Sequence, residues 1–315
     1  MRHTRHRVVV LVLAIIAVAG CERKKSAEYV VGFSQMESDN PYRLAETKSL
    51  KEEAAKRGIQ LVVTDAQGQT AKQVADVEDL IARKVSLIIL APREYEGLAP
   101  ALQAAKAAKI PVILVDRAAA GTPGVDYVTE LASNYVEQGR RAAEWLAAQT
   151  NGTAKIVELS GTPGASVAAD RAKGFRDEIA KHPNMKIIAS QSGNFSRATG
   201  QGVMQNIAQS LGRTMTAVFA HNDEMALGAI QALTAAGIKP GIDVKVVSVD
   251  GSRGALEAID RGELGATVES NPRYGPLAFQ TIERYRKGEA LPAKILVTDR
   301  FFDRANAKKF IPDAY

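Results

Sequence analysis

The chain alternates short apolar segments with amphipathic helical patterns, with a repeat of about 25 to 30 residues. Residues 110–115 are almost wholly apolar, which is typical of a strand buried on both faces of a parallel sheet. Residues 70–84 carry apolar side chains at helical spacing. Such alternation predicts βαβ units and therefore an α/β fold built on mostly parallel sheets.

The strand and helix patterns form two runs, which join near residues 131–134. They predict two similar doubly wound parallel-sheet lobes. The segment after residue 270 is too short for a third domain, so we expect it to cross back between the lobes near 269–271 and 292–294. Several crossings form a multi-strand hinge, and hinge-bending lobes commonly close around a ligand. The resulting assignment is an N-terminal lobe of 29–131 plus 271–292 and a C-terminal lobe of 132–270 plus 293–315.

The first residues have the pattern of a targeting segment. Residues 1–7 are basic, and residues 8–19 form an apolar run too short to span a membrane. The run leads into Val-Ala-Gly-Cys, which resembles the bacterial lipobox, and Cys21 is the only cysteine of the chain. We expect residues 1–21 to be a lipoprotein signal peptide with lipidated Cys21, and residues 22–28 to be a tether. An ordinary secretory signal is the alternative.

Polar and aromatic residues follow the first predicted strand. Asn40 can cap a helix, and Pro41 can occupy its first turn. Glu46 lies four residues after Tyr42 and three after Arg43, so the three side chains can share one helix face. This face lies beyond the carboxyl end of a strand, where open α/β sheets bind ligands. A capped surface helix with a local Arg–Glu pair is the alternative.

Similar polar residues and one aromatic residue follow later strands in both predicted lobes: Asp116, Arg117, Arg171, Phe195, Asn222 and Asp250. Repetition of the pattern predicts Asp, Asn and Arg side chains on both walls of one cleft. Such a set suits a sugar, because hydroxyls both donate and accept hydrogen bonds. Taken singly, Asn222 and Asp250 are equally consistent with helix caps, and Phe195 with a core residue.

Enzyme chemistry has little support in the sequence. His182 and His221 are the histidines outside the predicted signal, and the glycine-rich turn at 161–164 lacks the phosphate-binding patterns. We therefore expect no catalytic residues, no metal and no cofactor. The formal net charge is +6, but three of these charges belong to arginines of the predicted signal. Without a basic block, no nucleic-acid partner is expected.

Together these motifs resemble the periplasmic sugar-binding proteins of the ribose-binding type, subunits of bacterial ABC importers. The matching motifs are Asn40-Pro41-Tyr42, Asp116-Arg117, Arg171 with Gly174-Phe175, residues 222–229 and Asp250-Gly251. Residues 32–35, 164–168 and 190–193 are most similar to the galactofuranose-binding members. The resemblance implies a type I periplasmic-binding-protein fold, with sugar contacts from Asn40, Tyr42, Arg43, Glu46, Asp116, Arg117, Arg171, Phe195, Asn222 and Asp250.

The resemblance also implies a role. It predicts a monomeric lipoprotein of the periplasm, anchored to a membrane, that captures a monosaccharide and delivers it to the permease subunits of an ABC importer. Ribose-type proteins have an aromatic residue where this chain has Arg43, which favours a furanose such as galactofuranose. A sensor subunit that presents its closed form to a receptor is the main alternative. A sugar repressor is disfavoured, because a signal stands where a helix-turn-helix would be.

Overall fold

The computed structural model describes residues 29–315. The predicted signal peptide, Cys21 and the tether lie outside the described residues. The N-terminal lobe is built on a six-stranded parallel sheet in the order β11-β5-β4-β3-β1-β2. Its strands are β1 (Val30–Gln35), β2 (Gln60–Asp65), β3 (Leu87–Leu90), β4 (Val112–Val115), β5 (Thr129–Ala132) and β11 (Lys294–Leu296).

The C-terminal lobe repeats this plan with the order β12-β10-β9-β8-β6-β7. Strands β6 to β10 are parallel to one another, and β12 runs antiparallel to β10. The strands are β6 (Thr153–Ser160), β7 (Asn184–Ser192), β8 (Ala217–Ala220), β9 (Lys245–Asp250), β10 (Ala266–Glu269) and β12 (Phe301–Asp303).

Helices cover both faces of each sheet. The N-terminal lobe has α1 (Pro41–Lys56), α2 (Thr70–Ala82), α3 (Ala99–Ala107) and α9 (Gly275–Arg286). The C-terminal lobe has α4 (Tyr135–Gln149), α5 (Ser166–Ile179), α6 (Arg197–Leu211), α7 (Asp223–Ala235), α8 (Arg253–Asp260) and α10 (Ala307–Phe310). None of the helices within 29–315 is long and apolar enough to cross a membrane.

Two apolar layers form the core of the N-terminal lobe. Leu50 of α1 and Phe279 of α9 pack on one face of the sheet. Leu80 of α2 and Leu102 of α3 pack on the other face. Full burial of such a side chain contributes about 1.5–3 kcal/mol, so the two layers hold the carboxyl ends of the strands in fixed positions.

The final crossing between the lobes lies later than the sequence predicts. The predicted boundary at residue 293 is wrong, because β11 pairs with β5 and so belongs to the N-terminal sheet. The chain returns to the C-terminal lobe only between β11 and β12, where Ser133 Oγ and Gln138 Nε2 both donate to the Asp299 carboxylate. The position of a three-residue strand at a sheet edge depends on the strand that it pairs with. That strand, β5, is distant in the chain, so the local sequence does not reveal the pairing.

Candidate functional site

A cavity lies between the carboxyl ends of the two sheets. Its free volume is about 30 Å³, roughly the space of one water molecule in the liquid, so the lining side chains pack closely against one another in this state. Both lobes contribute to its lining, which consists of Glu37, Asn40, Tyr42, Arg43, Asp116, Arg117, Val167, Arg171, Phe195, Asn222 and Asp250. The structure thus brings together every predicted site residue except Glu46.

Arg43 and Asp116 form the centre of the N-terminal wall. Arg43 Nη2 donates to Asp116 Oδ2 at 2.5 Å, and Nη1 donates to Glu46 Oε2 at 2.9 Å. The Tyr42 hydroxyl donates to Asp116 Oδ1 at 3.0 Å. Burial alone would lower the pKa of Arg43, but the Asp116 and Glu46 carboxylates outweigh burial and raise it. The same wall therefore holds a permanent cation against two carboxyl groups.

Glu46 lies behind Arg43 and does not line the cavity. Its side chain is fully buried, and Oε2 accepts from Arg43 and from Gln35 Nε2 at 2.9 Å. Burial raises the pKa of Glu46, although Arg43 opposes the shift. The sequence predicts a direct sugar contact for Glu46. In the structure Glu46 instead positions the Arg43 guanidinium.

Arg117 and Phe195 meet across the cleft. The Arg117 guanidinium carbon lies 5.1 Å from the centroid of the Phe195 ring, within the range of a cation–π contact. Arg117 Nη1 donates to the Arg93 carbonyl at 2.9 Å, whereas its buried Nε makes no hydrogen bond and lies 3.6 Å from Asp116 Oδ2. Burial, with the nearby Arg43 charge, lowers the pKa of Arg117 to about 10. Arg117 remains charged at neutral pH.

Arg171 organises the C-terminal wall. Its Nε donates to Gln138 Oε1 at 2.9 Å, Nη1 to the His221 carbonyl at 2.5 Å and Nη2 to Asp250 Oδ1 at 3.3 Å. Burial raises the pKa of Asp250 well above its usual range, and Arg171 only partly opposes this shift. The two lobes therefore present one Arg–Asp pair each to the same cavity.

The two asparagines of the site are both helix caps and cavity residues. Asn222 Oδ1 accepts from the Met225 N–H at 3.0 Å, while its Nδ2 donates to the Phe195 carbonyl at 3.0 Å. Asn40 Oδ1 accepts from the Arg43 N–H at 3.0 Å. Capping fixes these amides at the edge of the cavity, so the two interpretations of the sequence are compatible.

Three residues of the lining have left-handed backbone conformations. The φ angle is 65° at Asp116, 58° at Phe195 and 135° at Asp250. Such conformations cost about 1–3 kcal/mol each in non-glycine residues and cluster at functional sites. Their presence at three predicted site residues supports a functional role for the cavity.

The lining contains equal numbers of arginines and acidic residues. Three arginines face three carboxyl residues, of which Glu37 was not predicted from the sequence. Glu37 follows β1 by two residues, so it fits the same pattern of polar residues after strand ends that predicts the other site residues. Val167, the other unpredicted residue, lies in the first turn of α5 and carries no such polar signal. Between residues 29 and 315, no cluster of three or more His, Cys, Asp or Glu side chains could hold a metal ion.

The mouth of the cleft is bridged by hydrogen bonds between the lobes. The Tyr95 N–H donates to the Gly164 carbonyl at 3.0 Å, and the Ala118 N–H donates to Ser166 Oγ at 3.1 Å. The hydroxyl of Tyr135, at the start of α4, donates to Asp116 Oδ1 at 3.0 Å. The lobes are therefore closed around the cavity.

Comparison with known proteins gives one family match and many relatives over most of the chain. A model of the periplasmic binding protein domain matches residues 31–290. The galactofuranose-binding protein YtfQ of Escherichia coli (strain K12) is 40% identical over 291 residues, covering 91% of this chain and 92% of the relative. The ribose import binding protein RbsB of Bacillus subtilis (strain 168) is 33% identical over 299 residues, covering 91% and 95%.

Solved structures share the whole architecture. The periplasmic binding protein of the arabinose ABC transporter from Shewanella sp. ANA-3, bound to α- and β-L-arabinofuranose, superposes with a TM-score of 0.87 at 42% identity, covering 90% of this chain and 95% of that one. A galactofuranose-binding protein superposes with a TM-score of 0.88 at 39% identity, covering 90% and 98%. The predicted α/β fold with two doubly wound lobes is confirmed.

Proposed function

The chain belongs to the periplasmic binding protein domain family, and on that premise we propose that it binds a neutral monosaccharide between its lobes. The family consists of solute-binding proteins, so the chain is a binding protein and not an enzyme, as predicted. The relatives are named for binding galactofuranose, ribose and arabinose. All three ligands are sugars, and we propose that this chain also binds a sugar.

One observation carries the proposal. Arg43–Asp116 in one lobe and Arg171–Asp250 in the other face a single closed cavity, whose lining contains three arginines and three acidic residues. A carboxylate can accept a hydrogen bond from a sugar hydroxyl while the guanidinium beside it donates to the oxygen of the same hydroxyl, and such charge-assisted bonds fix orientation. A uronate or a sugar phosphate would bring a further anionic group into a cavity that already holds three acidic residues, and the three arginines would compensate its desolvation only in part.

We further propose that the sugar is bound as a furanose, such as galactofuranose or arabinofuranose. Arg43 supports this proposal, because its guanidinium occupies the wall where ribose-type relatives carry an aromatic ring. The structural relatives that bind galactofuranose and arabinofuranose superpose over 90% of this chain. Tyr42 and Phe195 supply apolar faces on opposite sides of the cavity.

The proposed context is sugar import. The chain would act in the periplasm as a monomeric lipoprotein attached through Cys21, and would deliver its sugar to the permease of an ABC importer. The sequence of residues 1–21 supports the anchor. Membrane fractionation of cells that carry the wild-type protein or Cys21→Ser tests it, and equal recovery of both proteins in the soluble fraction would contradict lipidation.

Mass spectrometry of the ligand that co-purifies with the protein, combined with a crystal structure of the complex, tests the proposed sugar. We expect a neutral pentose or hexose with a five-membered ring between Arg43 and Arg171. An acidic sugar or an amino acid in that position would contradict the proposal. A six-membered ring would contradict only the furanose assignment.

A further inference from the structure

Tyr315 stands behind one wall of the cavity without lining it. Its ring meets the Tyr42 ring edge-on, with the centroids 6.0 Å apart and the planes at 84°. Tyr42 lines the cavity, and its hydroxyl is fixed on Asp116 at 3.0 Å. One end of the Tyr42 side chain is thus held by a hydrogen bond and its ring by Tyr315.

The two tyrosines belong to different lobes. Tyr42 lies in α1, whereas Tyr315 follows α10, which packs against α8 of the C-terminal lobe. The N–H of Arg253, the first residue of α8, donates to the Tyr315 carbonyl at 2.9 Å, and Arg253 Nη2 donates to the Ala314 carbonyl at 3.0 Å. The ring contact therefore bridges the lobes, and lobe opening would loosen it.

A hydrogen bond of the Tyr315 hydroxyl does not explain why the Tyr315 ring lies against Tyr42. Its oxygen is buried and has no hydrogen-bond partner among the described residues. Burial, then the charges of Asp250 and Asp223, raise the pKa of Tyr315, so the phenol is neutral. The Arg273 guanidinium carbon lies 5.9 Å from the ring centroid. The contacts that hold Tyr315 are made by its ring and its backbone.

We propose that Tyr315 is a ligand-positioning residue, whose ring holds the Tyr42 ring against the sugar when the lobes close. The proposal rests on the proposed function of the cleft. Tyr315 acts through Tyr42 and does not itself contact the sugar. An edge-to-face aromatic pair changes an equilibrium constant by about 2- to 13-fold, and because this pair joins the two lobes, its loss should weaken the closed state that binds the sugar.

The test compares Tyr315→Ala, which removes the ring, with Tyr315→Phe, which removes only the hydroxyl. Calorimetric titration with L-arabinose and D-galactose gives the affinity, and stopped-flow fluorescence gives the dissociation rate. We expect Tyr315→Ala to raise Kd about 2- to 13-fold, mainly through faster dissociation. Tyr315→Phe should stay within about twofold of wild type, because the hydroxyl has no bond to lose. The melting temperature of both ligand-free variants should stay near that of wild type.

Tyr285→Ala is the matched control, since Tyr285 is a partly exposed tyrosine of α9 outside the cavity lining. It should bind like wild type. Unchanged affinity in Tyr315→Ala would overturn the proposal, as would a fall in its ligand-free melting temperature without a change in Kd. Equal weakening by Tyr315→Phe would assign the effect to the hydroxyl and overturn the role of the ring. A wild-type protein that binds neither sugar nor any other monosaccharide would instead contradict the proposed function.

Discussion

Arg43 Nη2 lies 2.5 Å from Asp116 Oδ2, although 73 residues separate the two in the chain. Each side chain is 4% exposed. Their contact joins the first turn of α1 to the loop after β4, so the doubly wound sheet itself brings the pair together. Removal of one partner from a buried ion pair costs about 3–5 kcal/mol, because the other charge stays buried without compensation. The pair is therefore a sensitive position for testing the site.

Arg43→Phe restores the aromatic residue of the ribose-type pattern and should lower the affinity for L-arabinose or D-galactose at least about tenfold. The physical reason is that Asp116 and Glu46 lose their shared donor, which leaves buried polar atoms unpaired. Calorimetric titration measures the change. Arg197→Phe is the control, because Arg197 pairs with Glu224 and is 43% exposed. Unchanged affinity in Arg43→Phe would undo the assignment of Arg43.

Arg171 and Asp250 should behave as one unit. Asp250→Ala leaves Arg171 Nη2 without its carboxylate, and Arg171→Ala leaves Asp250 without its cation. Each substitution should weaken sugar binding by about 1–3 kcal/mol. The double variant should weaken it by clearly less than the sum of the two effects. A double-mutant cycle by calorimetry gives the coupling, and strictly additive losses would show that the pair does not act together.

Ser166→Ala should weaken binding without touching the sugar. Its Oγ accepts from the Ala118 N–H across the mouth of the cleft, and because this bond joins the two lobes, we expect it to break when they part. Loss of one such bond corresponds to about 0.5–1.5 kcal/mol. Small-angle scattering should show a larger open fraction at subsaturating sugar than for Ser210→Ala, whose hydroxyl bonds within its own helix. Identical scattering profiles would contradict a closing role.

Acid should destabilise the C-terminal lobe through Glu158 and His221. Burial would raise the pKa of Glu158, but hydrogen bonds from His221, Ser190 and Arg176 hold it at about 2. The pKa of a glutamate in the unfolded chain is about 4.3, so the stabilisation is present above that pH and is lost as the pH falls toward about 2. Burial lowers the pKa of His221, which adds a loss of stability below about 6.5.

Urea unfolding of wild type and Glu158→Gln as a function of pH measures this effect. The difference in unfolding free energy between the two proteins should shrink as pH falls from about 4.3 to about 2, since protonation removes the advantage of the carboxylate. Ser192→Ala serves as a control on the neighbouring strand end, and its deficit should stay constant. A Glu158→Gln difference that does not change with pH would contradict the role of Glu158.

Most of this site can be predicted from the sequence, because it depends on helix caps and on the positions of strand ends. Asn40 and Asn222 are readable as caps, and the ends of parallel strands converge wherever the fold is doubly wound. The sequence does not predict that Glu46 lies behind Arg43, because helical spacing fixes a shared face but not which member reaches the cavity. The contact between Tyr42 and Tyr315 is equally hidden, since it depends on how two lobes and a late segment come together.

The most direct test of sugar binding is calorimetric titration of the wild-type protein with D-galactose, L-arabinose, D-ribose and D-galacturonate. We predict one site per chain for at least one neutral sugar, with tighter binding than for galacturonate. The reason is that the cavity already holds three acidic residues beside its three arginines, with one Arg–Asp pair on each wall. No heat from any neutral sugar, or tighter binding of galacturonate, would contradict this prediction.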